Sequence, residues 1–295
     1  MSRSAHSRRS PAKRAALGAL AGLCSLAAVP AFGAGHGPAF ALATPTLGEG
    51  AWSSDTSVMN LTTDEGEAYM VREMIAYGIT EDLTASLSVP LAPGVDGLKL
   101  ENPPRTRGQA MMGGFGEVEG GLWWRFHKQY PGAGRRYEST FYFNAAVPTD
   151  DTRGGIGVGP SLTAAVATGY ASRTWYWWGA AGYQRYFEDG GDRLGDLPYV
   201  SAAVGYRPPV FQQDYPKPDF RIFLEALAEF PERDERDGRK LADSGGTLVL
   251  LGPSVLGLFG KYGIELGAMF PVHEDLNGDQ PKETVRVTLD FTIWF

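Results

Sequence analysis

The chain has 295 residues with a formal net charge of -7, and 43% of its residues are apolar while 21% are charged. This composition is that of an ordinary folded protein with one large or two medium-sized domains, and the excess of acidic residues argues against nucleic acid as a partner. The mean hydropathy of -0.20 does not exclude a membrane protein built of β-strands, because lipid-facing and polar residues alternate in such strands and their contributions cancel.

The amino terminus has the pattern of an export signal. An apolar run from residue 15 to about residue 32 follows five basic residues: Arg3, Arg8, Arg9, Lys13 and Arg14. We predict a signal peptide over residues 1–31, cleaved after Ala31 or Ala34, in preference to a retained anchor helix. Cys24 is the only cysteine and lies inside this signal, so the exported chain is predicted to carry no thiol chemistry. The signal holds none of the 34 acidic residues, so its removal makes the chain more acidic.

The next segment, residues 32–48, contains Pro38 and Pro45. Its apolar residues recur neither with the helical period nor with the strand period. We expect it to be extended, either on the periplasmic side or as a partial plug of the barrel that is inferred below.

From residue 49 to the carboxy terminus the chain divides into twelve apolar or alternating runs bounded by Gly, Pro, Asn or Asp. The predicted strands are 50–60, 67–78, 83–91, 113–128, 136–147, 157–170, 173–187, 197–207, 219–230, 246–258, 261–271 and 284–295. An even number of strands returns both ends of the chain to one side, as in single-chain bacterial barrels. We therefore predict one all-β domain over residues 49–295, a transmembrane antiparallel up-and-down β-barrel of about 12 strands.

The connections between these runs alternate in length. Odd-numbered connections are polar and often long, as at 92–112 and 231–245, whereas even-numbered ones include the short 80–82 and the single Gly260. This alternation predicts long loops outside the cell and mostly short turns in the periplasm.

Alternation within the strands separates a lipid face from an inner face. In the ninth predicted strand Ile222 and Leu224 would face lipid, while Phe223 and Glu225 would face inward. The charged residues predicted to line the interior are Glu117, Glu119, Arg125, Glu138, Arg221, Glu225, Glu229, Glu265, Arg286 and Asp290. Two interpretations stay open: these groups pair with one another inside a narrow barrel, or they line a solute path and set its selectivity.

Other inward positions add an apolar component, and some residues break the pattern. Inward residues that serve either packing or a path for hydrophobic solutes are Phe115, Trp123, Tyr142, Phe223 and Leu227. In the second strand Arg72 and Glu73 are adjacent, so strict alternation places one of them in lipid unless it lies near an interface or a bulge.

Catalytic and metal-binding patterns are weak. The histidines after the predicted signal are His36, His127 and His273. A lipid-facing Ser/His pair of the outer-membrane phospholipase kind is not expected, because His127 is predicted to face inward. The acidic stretch at 275–279 fails the calcium-loop pattern, so we predict no enzyme, cofactor or built metal site, although a loose divalent-ion site there stays open.

The last strand carries the first family resemblance. Val285, Leu289 and Phe291 alternate with Arg286 and Asp290, and the chain ends on an aromatic residue. This ending resembles the closing strand of bacterial outer-membrane β-barrels, whose terminal Phe is read by the barrel assembly machinery. The resemblance implies that machinery as a partner through Phe295, outer-membrane lipids as surroundings, and the outer membrane of a Gram-negative bacterium as the location.

A second family resemblance comes from the hairpin between Tyr77 and Pro90. Its sequence is Tyr-Gly-Ile-Thr-Glu-Asp-Leu-Thr-Ala-Ser-Leu-Ser-Val-Pro. It resembles segments of a family of outer-membrane transporters named for the meta-pathway of phenol degradation. The resemblance implies a channel or transporter for a small solute, with aromatic or hydrophobic compounds as the suggested class, and it assigns no binding residues. The alternatives are a structural or surface-interaction barrel with a closed lumen and, less favoured, an outer-membrane hydrolase.

Overall fold

The computed structural model describes residues 37–91, 117–149, 152–153, 156–212 and 216–295. The predicted signal peptide, the long connection at 92–112 and Phe115 lie outside the described residues. Twelve antiparallel strands form a closed barrel. In chain order they are β1 (Trp52–Thr63), β2 (Glu67–Thr80), β3 (Leu83–Pro90), β4 (Glu117–Gly132), β5 (Arg135–Pro148), β6 (Ser161–Ala171), β7 (Trp175–Tyr186), β8 (Leu197–Tyr206), β9 (Asp219–Glu229), β10 (Gly246–Phe259), β11 (Tyr262–Leu276) and β12 (Glu283–Trp294).

Each strand pairs with its neighbours in sequence, and β1 pairs with β12 to close the barrel. At the closure the backbone N–H of Trp52 donates to the carbonyl oxygen of Phe295 at 2.9 Å, and the N–H of Phe295 donates back at 3.0 Å. The predicted all-β up-and-down barrel is therefore confirmed. The predicted bounds differ most in β4 and β11, which extend to Gly132 and Leu276.

The two ends of the barrel differ in their connections. The end that we call the short-turn end has two-residue turns at 81–82, 133–134 and 260–261, and it also holds Trp52 and Phe295. The other, the long-loop end, carries connections that include 149–160, 187–196 and 230–245. A 3-10 turn at Pro209–Phe211 lies in a connection at the short-turn end. Among the described residues no helix is long and apolar enough to cross a membrane.

The outer surface is apolar because the strands alternate as predicted. On β9 the side chains of Ile222 and Leu224 are 51% and 56% exposed, whereas Glu225 and Glu229 are fully buried inside. Outward tryptophan and tyrosine side chains gather at the short-turn end, where Trp52 packs on Tyr77 with ring centroids 4.6 Å apart. Such an apolar surface, edged by aromatic rings, matches the hydrocarbon core and interfaces of a membrane.

A bulge in β4 overturns one predicted position. Arg125 lies opposite Thr140 on β5, and His127 lies opposite Ser139, so Phe126 is the extra residue of a β-bulge. The bulge places His127 on the exposed outer side and turns Lys128 inward, where its Nζ lies 3.2 Å from Asp82 Oδ1. The prediction of an inward His127 is wrong because a strict period of two does not anticipate an inserted residue.

The adjacent Arg72 and Glu73 of β2 follow strict alternation. Arg72 borders an interior cavity. Glu73 faces outward, where its carboxylate accepts hydrogen bonds from Ser54 Oγ at 2.5 Å and Thr56 Oγ1 at 2.6 Å. The two hydroxyl donors on β1 give this outward carboxylate hydrogen bonds that lipid cannot supply.

The long-loop end folds into a small cap with its own apolar cluster. Ile156, Val158, Tyr186 and Leu194 are buried together there. A two-stranded hairpin, Glu235–Arg236 with Arg239–Lys240, lies within the connection at 230–245.

Polar contacts tie the cap loops to one another. Asp192 accepts the backbone N–H of Gly157 at 3.0 Å and that of Asp237 at 3.2 Å, so one carboxylate joins three connections. These two N–H donors hold the pKa of the Asp192 carboxyl below its ordinary value. The Arg193 guanidinium does the same for Glu235, which it contacts at 3.1 Å.

Candidate functional site

An extended segment, residues 37–48, runs inside the barrel, and we call it the plug. Its side chains of Phe40, Ala41 and Leu47 are 3%, 5% and 6% exposed. The plug joins β1 at the short-turn end, where the backbone N–H of Gly50 donates to the carbonyl oxygen of Gly78 at 2.8 Å. The chain approaches so closely there that a Cβ on Gly78 would collide with the carbonyl group of Gly48.

A single carboxylate holds the innermost part of the plug. Glu225 of β9 accepts the backbone N–H groups of Ala39 at 2.9 Å, Phe40 at 2.7 Å and Ala41 at 2.7 Å. It also accepts the hydroxyl of Ser254 from β10. An extended segment cannot satisfy its own N–H groups, so the buried carboxylate and the plug each supply what the other lacks.

The middle of the plug is bound by β5 and β7, which lie four and two strands away from β9 around the barrel. Thr44 donates through Oγ1 to Glu138 at 3.2 Å, and its carbonyl oxygen accepts the hydroxyl of Thr140 at 2.5 Å. The indole N–H of Trp178 donates to Thr44 Oγ1 at 3.2 Å. Tyr142 donates its hydroxyl to the carbonyl oxygen of Ala43. The plug is therefore hydrogen-bonded to β5, β7 and β9 of the barrel wall.

Apolar contacts complete the fit. A Cβ built on Gly267 of β11 would lie 2.6 Å from Phe40 Cε2 and 2.8 Å from Ala39 Cβ, so the missing side chain makes room for the plug. Ala41 belongs to a buried cluster with Tyr176, Trp178 and other residues of the β7 to β10 wall. The predicted inward position of Phe223 belongs to that cluster as well, and it packs there rather than facing open space.

Buried ion pairs cross the interior toward the long-loop end. Arg286 of β12 contacts Glu229 of β9 at 3.2 Å and Glu283 at 2.8 Å, and all three side chains are at most 1% exposed. Because β12 and β9 are three strands apart around the barrel, the Arg286–Glu229 pair spans a chord of the lumen. This pair narrows any path past the plug.

Further ion pairs lie toward the short-turn end. Arg125 contacts Asp82 at 2.7 Å and Glu138 at 2.9 Å. Arg221 lies 3.2 Å from Asp219 and 5.2 Å from the ring centre of Tyr176, a cation–π contact.

One side of the plug leaves a cavity of about 210 Å³ against the barrel wall. Its charged lining residues are Asp55, Arg72, Glu119, Glu265 and Asp290. Trp123 and Tyr142, both predicted to face inward, line it too, with ring centroids 5.7 Å apart. Among the described residues no group of three or more His, Cys, Asp or Glu side chains has an arrangement that could hold a metal ion.

The structure separates the ten predicted interior residues into groups. Glu225 and Glu138 bind the plug; Glu119, Glu265 and Asp290 border the cavity; Arg286 and Glu229 cross the lumen; Arg125 and Arg221 lie toward the short-turn end; and Glu117 is buried at the start of β4. The ion pairs of Arg125, Arg221 and Arg286 agree with the interpretation that charged groups pair inside the barrel. That these residues line a solute path remains a prediction.

Sequence reasoning missed Asp55, Glu283, Ser254 and the plug residue Thr44. The sequence could have predicted that Asp55 faces inward, because Ser53, Asp55 and Ser57 alternate with Trp52 and Ser54 in β1. The roles of Ser254 and Thr44 had none, since each acts through a partner that is distant in the chain.

No protein-family model matches the chain, and no curated protein matches it. Among solved structures, the COG4313 outer membrane channel from Pseudomonas putida F1 gives a TM-score of 0.56 at 13% sequence identity, over 85% of this chain and 98% of that one. LpxR from Salmonella typhimurium gives 0.44 at 8% identity, over 82% and 100%. OccK11 from Pseudomonas aeruginosa gives 0.36 at 12% identity, over 83% and 67%.

At 13% identity the likeness to the COG4313 channel shows the fold alone. The TM-scores of 0.44 and 0.36 are too low to show a shared fold. The fold is that of an outer-membrane β-barrel, as the closing strand predicted. The narrower resemblance to transporters of the phenol meta-pathway stays a prediction.

Proposed function

We propose that this protein is a channel of a Gram-negative outer membrane, through which a small solute passes and in which the plug controls the opening. The apolar outer surface fits lipid, and the exposed Phe295 beside Trp52 presents the ending that barrel assembly machinery reads in similar barrels. The COG4313 channel with the same fold agrees with this function by analogy.

The observation that carries the proposal is the way the plug is held. Its innermost residues are bound by hydrogen bonds to one carboxylate, Glu225, and by small apolar contacts, with no covalent bond or strand pairing. A purely structural filler would be expected to pair with the sheet as a further strand. A segment held by hydrogen bonds to wall side chains and by apolar contacts, without strand pairing, can instead leave and return, which would widen a lumen that the Arg286–Glu229 pair also narrows.

A non-enzymatic role is part of the proposal. The hydroxyl of Ser139, the cross-strand neighbour of the outward His127, contacts Thr168 Oγ1 at 3.0 Å. A hydrolase that activates a serine through a histidine needs that hydroxyl within reach of the imidazole. In this pair the Ser139 hydroxyl hydrogen-bonds to Thr168 and not to the imidazole of His127, an arrangement that favours the channel over the hydrolase.

Single-channel conductance in a planar bilayer tests the proposal. The exported chain is compared with a chain that lacks residues 32–48, and both are first shown to be folded by their heat-dependent shift on a gel. We expect rare, small current steps from the first chain and frequent, larger ones from the second. Silence from both folded chains would favour the structural barrel with a closed lumen.

A further inference from the structure

Three carboxylates meet on neighbouring strands at the cavity wall. Glu265 of β11 and Asp290 of β12 lie directly opposite each other in the antiparallel ladder. Asp55 of β1 lies opposite Thr292, two residues further along β12. Like charges placed directly opposite each other in a sheet destabilise it. Hydroxyl groups of Ser53 and Thr292 donate to Asp55, and that of Thr288 donates to Asp290. A positive group in the cavity would offset the remaining repulsion between Glu265 and Asp290.

Glu265 also has an unused hydrogen-bonding atom. Its side chain is 7% exposed, it borders the cavity, and its Oε1 has no hydrogen-bond partner among the described residues. The carbonyl oxygen Oδ1 of Asn144, on the same cavity wall, has none among them either. Buried acceptors are normally satisfied by protein donors, by water or by a bound group, so two at one cavity mark a place where a ligand that donates hydrogen bonds or carries positive charge can bind.

The charge balance and the other lining residues narrow the class of ligand. The cavity is bordered by four carboxylates, Asp55, Glu119, Glu265 and Asp290, and by one cation, Arg72. Among the described residues, these carboxylates do not form a group that could hold a metal ion. Apolar and aromatic side chains complete the lining: Phe40, Leu42, Met74, Trp123 and Tyr142. Aromatic rings beside carboxylates are the surroundings that bind organic ammonium groups.

We propose that this cavity binds a small organic ammonium cation, with its charge near Glu265 and Asp290 and its apolar part near Trp123. The proposal deepens the channel function and rests on it for one point, that the bound cation belongs to the class of solutes that the channel passes. A cavity of about 210 Å³ has room for a group of choline size.

Isothermal titration of the folded exported chain in detergent tests the site, with choline as the probe. Its matched control is the neutral isostere in which carbon replaces the ammonium nitrogen. We expect choline to bind and the isostere to bind at least about ten-fold more weakly, a difference of about 1.4 kcal/mol. Equal binding of the two compounds, or no binding of choline, would overturn the proposal without requiring any variant to fold.

Variants then locate the charge. Glu265→Gln and Asp290→Asn keep the size of the side chains, and each is expected to weaken choline binding about ten-fold or more. Glu188→Gln neutralises an exposed carboxylate in the loop after β7 and is expected to bind choline normally. If choline binds equally well to all four folded proteins, the ligand is elsewhere and the proposal is wrong.

The titration tests the binding site and the bilayer recording tests the channel, so either claim can be wrong while the other holds. A chain that binds choline through Glu265 but shows no current with or without residues 32–48 would keep the binding site and remove the channel. A conducting chain that does not bind choline would keep the channel and remove the site. In a conducting chain, choline is also expected to reduce the potassium current, and the neutral isostere is not.

Discussion

The carboxylate of Glu225 accepts the backbone N–H of Phe40 at 2.7 Å, although the two residues are 185 positions apart in the chain. This contact joins β9, the ninth of the twelve strands, to a segment that precedes the barrel in sequence. Because backbone donors bind Glu225, this contact depends on the extended backbone of the plug and not on particular plug side chains. The partner on the wall, by contrast, is one specific carboxylate.

Replacing Glu225 with Ala is therefore expected to free the plug. The plug would lose three hydrogen bonds to a charged acceptor, and even a net loss of about 3 kcal/mol would raise the open fraction about 100-fold. Single-channel recording measures the open fraction directly. The matched control is Glu188→Ala, which removes an exposed carboxylate from a loop. An unchanged open fraction in folded Glu225→Ala would contradict the role of Glu225 in holding the plug.

Steric displacement gives an independent route to the same opening. In Gly267→Val the new side chain would occupy the space of Phe40 and Ala39, so the plug is expected to leave while the wall stays intact. Gly120→Val is the control, because a Cβ there meets nothing within 4 Å. We expect Gly267→Val to conduct like the chain without residues 32–48, and Gly120→Val to conduct like the unmodified chain. Closed behaviour of folded Gly267→Val would show that the plug can be accommodated elsewhere in the lumen.

The sequence predicted the barrel well because each strand repeats one simple rule. Period-two alternation put Glu225 and Glu229 inside and Ile222 and Leu224 outside, and burial of charge away from lipid leaves little freedom. The same rule failed at His127, where one inserted residue reverses the faces.

The candidate site was predictable only in part. Alternation identified Glu265 and Asp290 as inward residues, but their register across β11 and β12 depends on where the strands pair. The contacts of the plug with Glu225 had no sequence signal in the plug, because backbone N–H groups are the same in every non-proline residue. The Asp192 contacts in the cap likewise use backbone donors, those of Gly157 and Asp237.

The buried ion pair across the lumen is expected to matter for stability. Arg286→Met would leave Glu229 and Glu283 buried without their cation, a change that costs about 3–5 kcal/mol in comparable sites. Urea unfolding in lipid vesicles, followed by tryptophan fluorescence, measures this loss. Lys217→Met in an exposed connection is the control. Adding Glu229→Gln and Glu283→Gln to Arg286→Met should restore part of the stability; no restoration would show that the packing of Arg286, not its charge, is what counts.

The outward Glu73 is expected to oppose insertion. It lies four residues from Tyr69 and four from Tyr77 on the same outer face of β2, so it is midway between two interfacial aromatic side chains. Glu73→Gln keeps an acceptor for Ser54 and Thr56 and removes the charge, so the free energy of unfolding in lipid should rise by about 1 kcal/mol. Glu65→Gln, in the turn beyond Tyr69, should change nothing. A less stable Glu73→Gln would mean that the hydrogen bonds from Ser54 and Thr56 to the charged carboxylate outweigh the cost of its charge in lipid.

Acid is expected to loosen the cap before it affects the barrel. The pKa values of Asp192 and Glu235 are held below their ordinary values of 3.8 and 4.5, by backbone N–H donors and by Arg193 respectively. Because both are lowered by folding, their stabilising contribution is complete above those ordinary values and disappears as the pH falls through the lower folded ones. Hydrogen exchange at the backbone of Gly157 and Asp237, corrected for the intrinsic rate, should therefore be steady from neutral pH down to about 4.5 and should rise below about 3.8.

Asp192→Asn replaces the charged carboxylate that accepts both N–H groups with a neutral amide. Exchange at Gly157 and Asp237 should therefore already be faster at neutral pH. Exchange in β9, whose backbone is paired on both sides, is the internal reference and should stay slow throughout. If the cap instead opens near pH 6, a group with an ordinary value in that range controls it, and Asp192 is not the tie between the three loops.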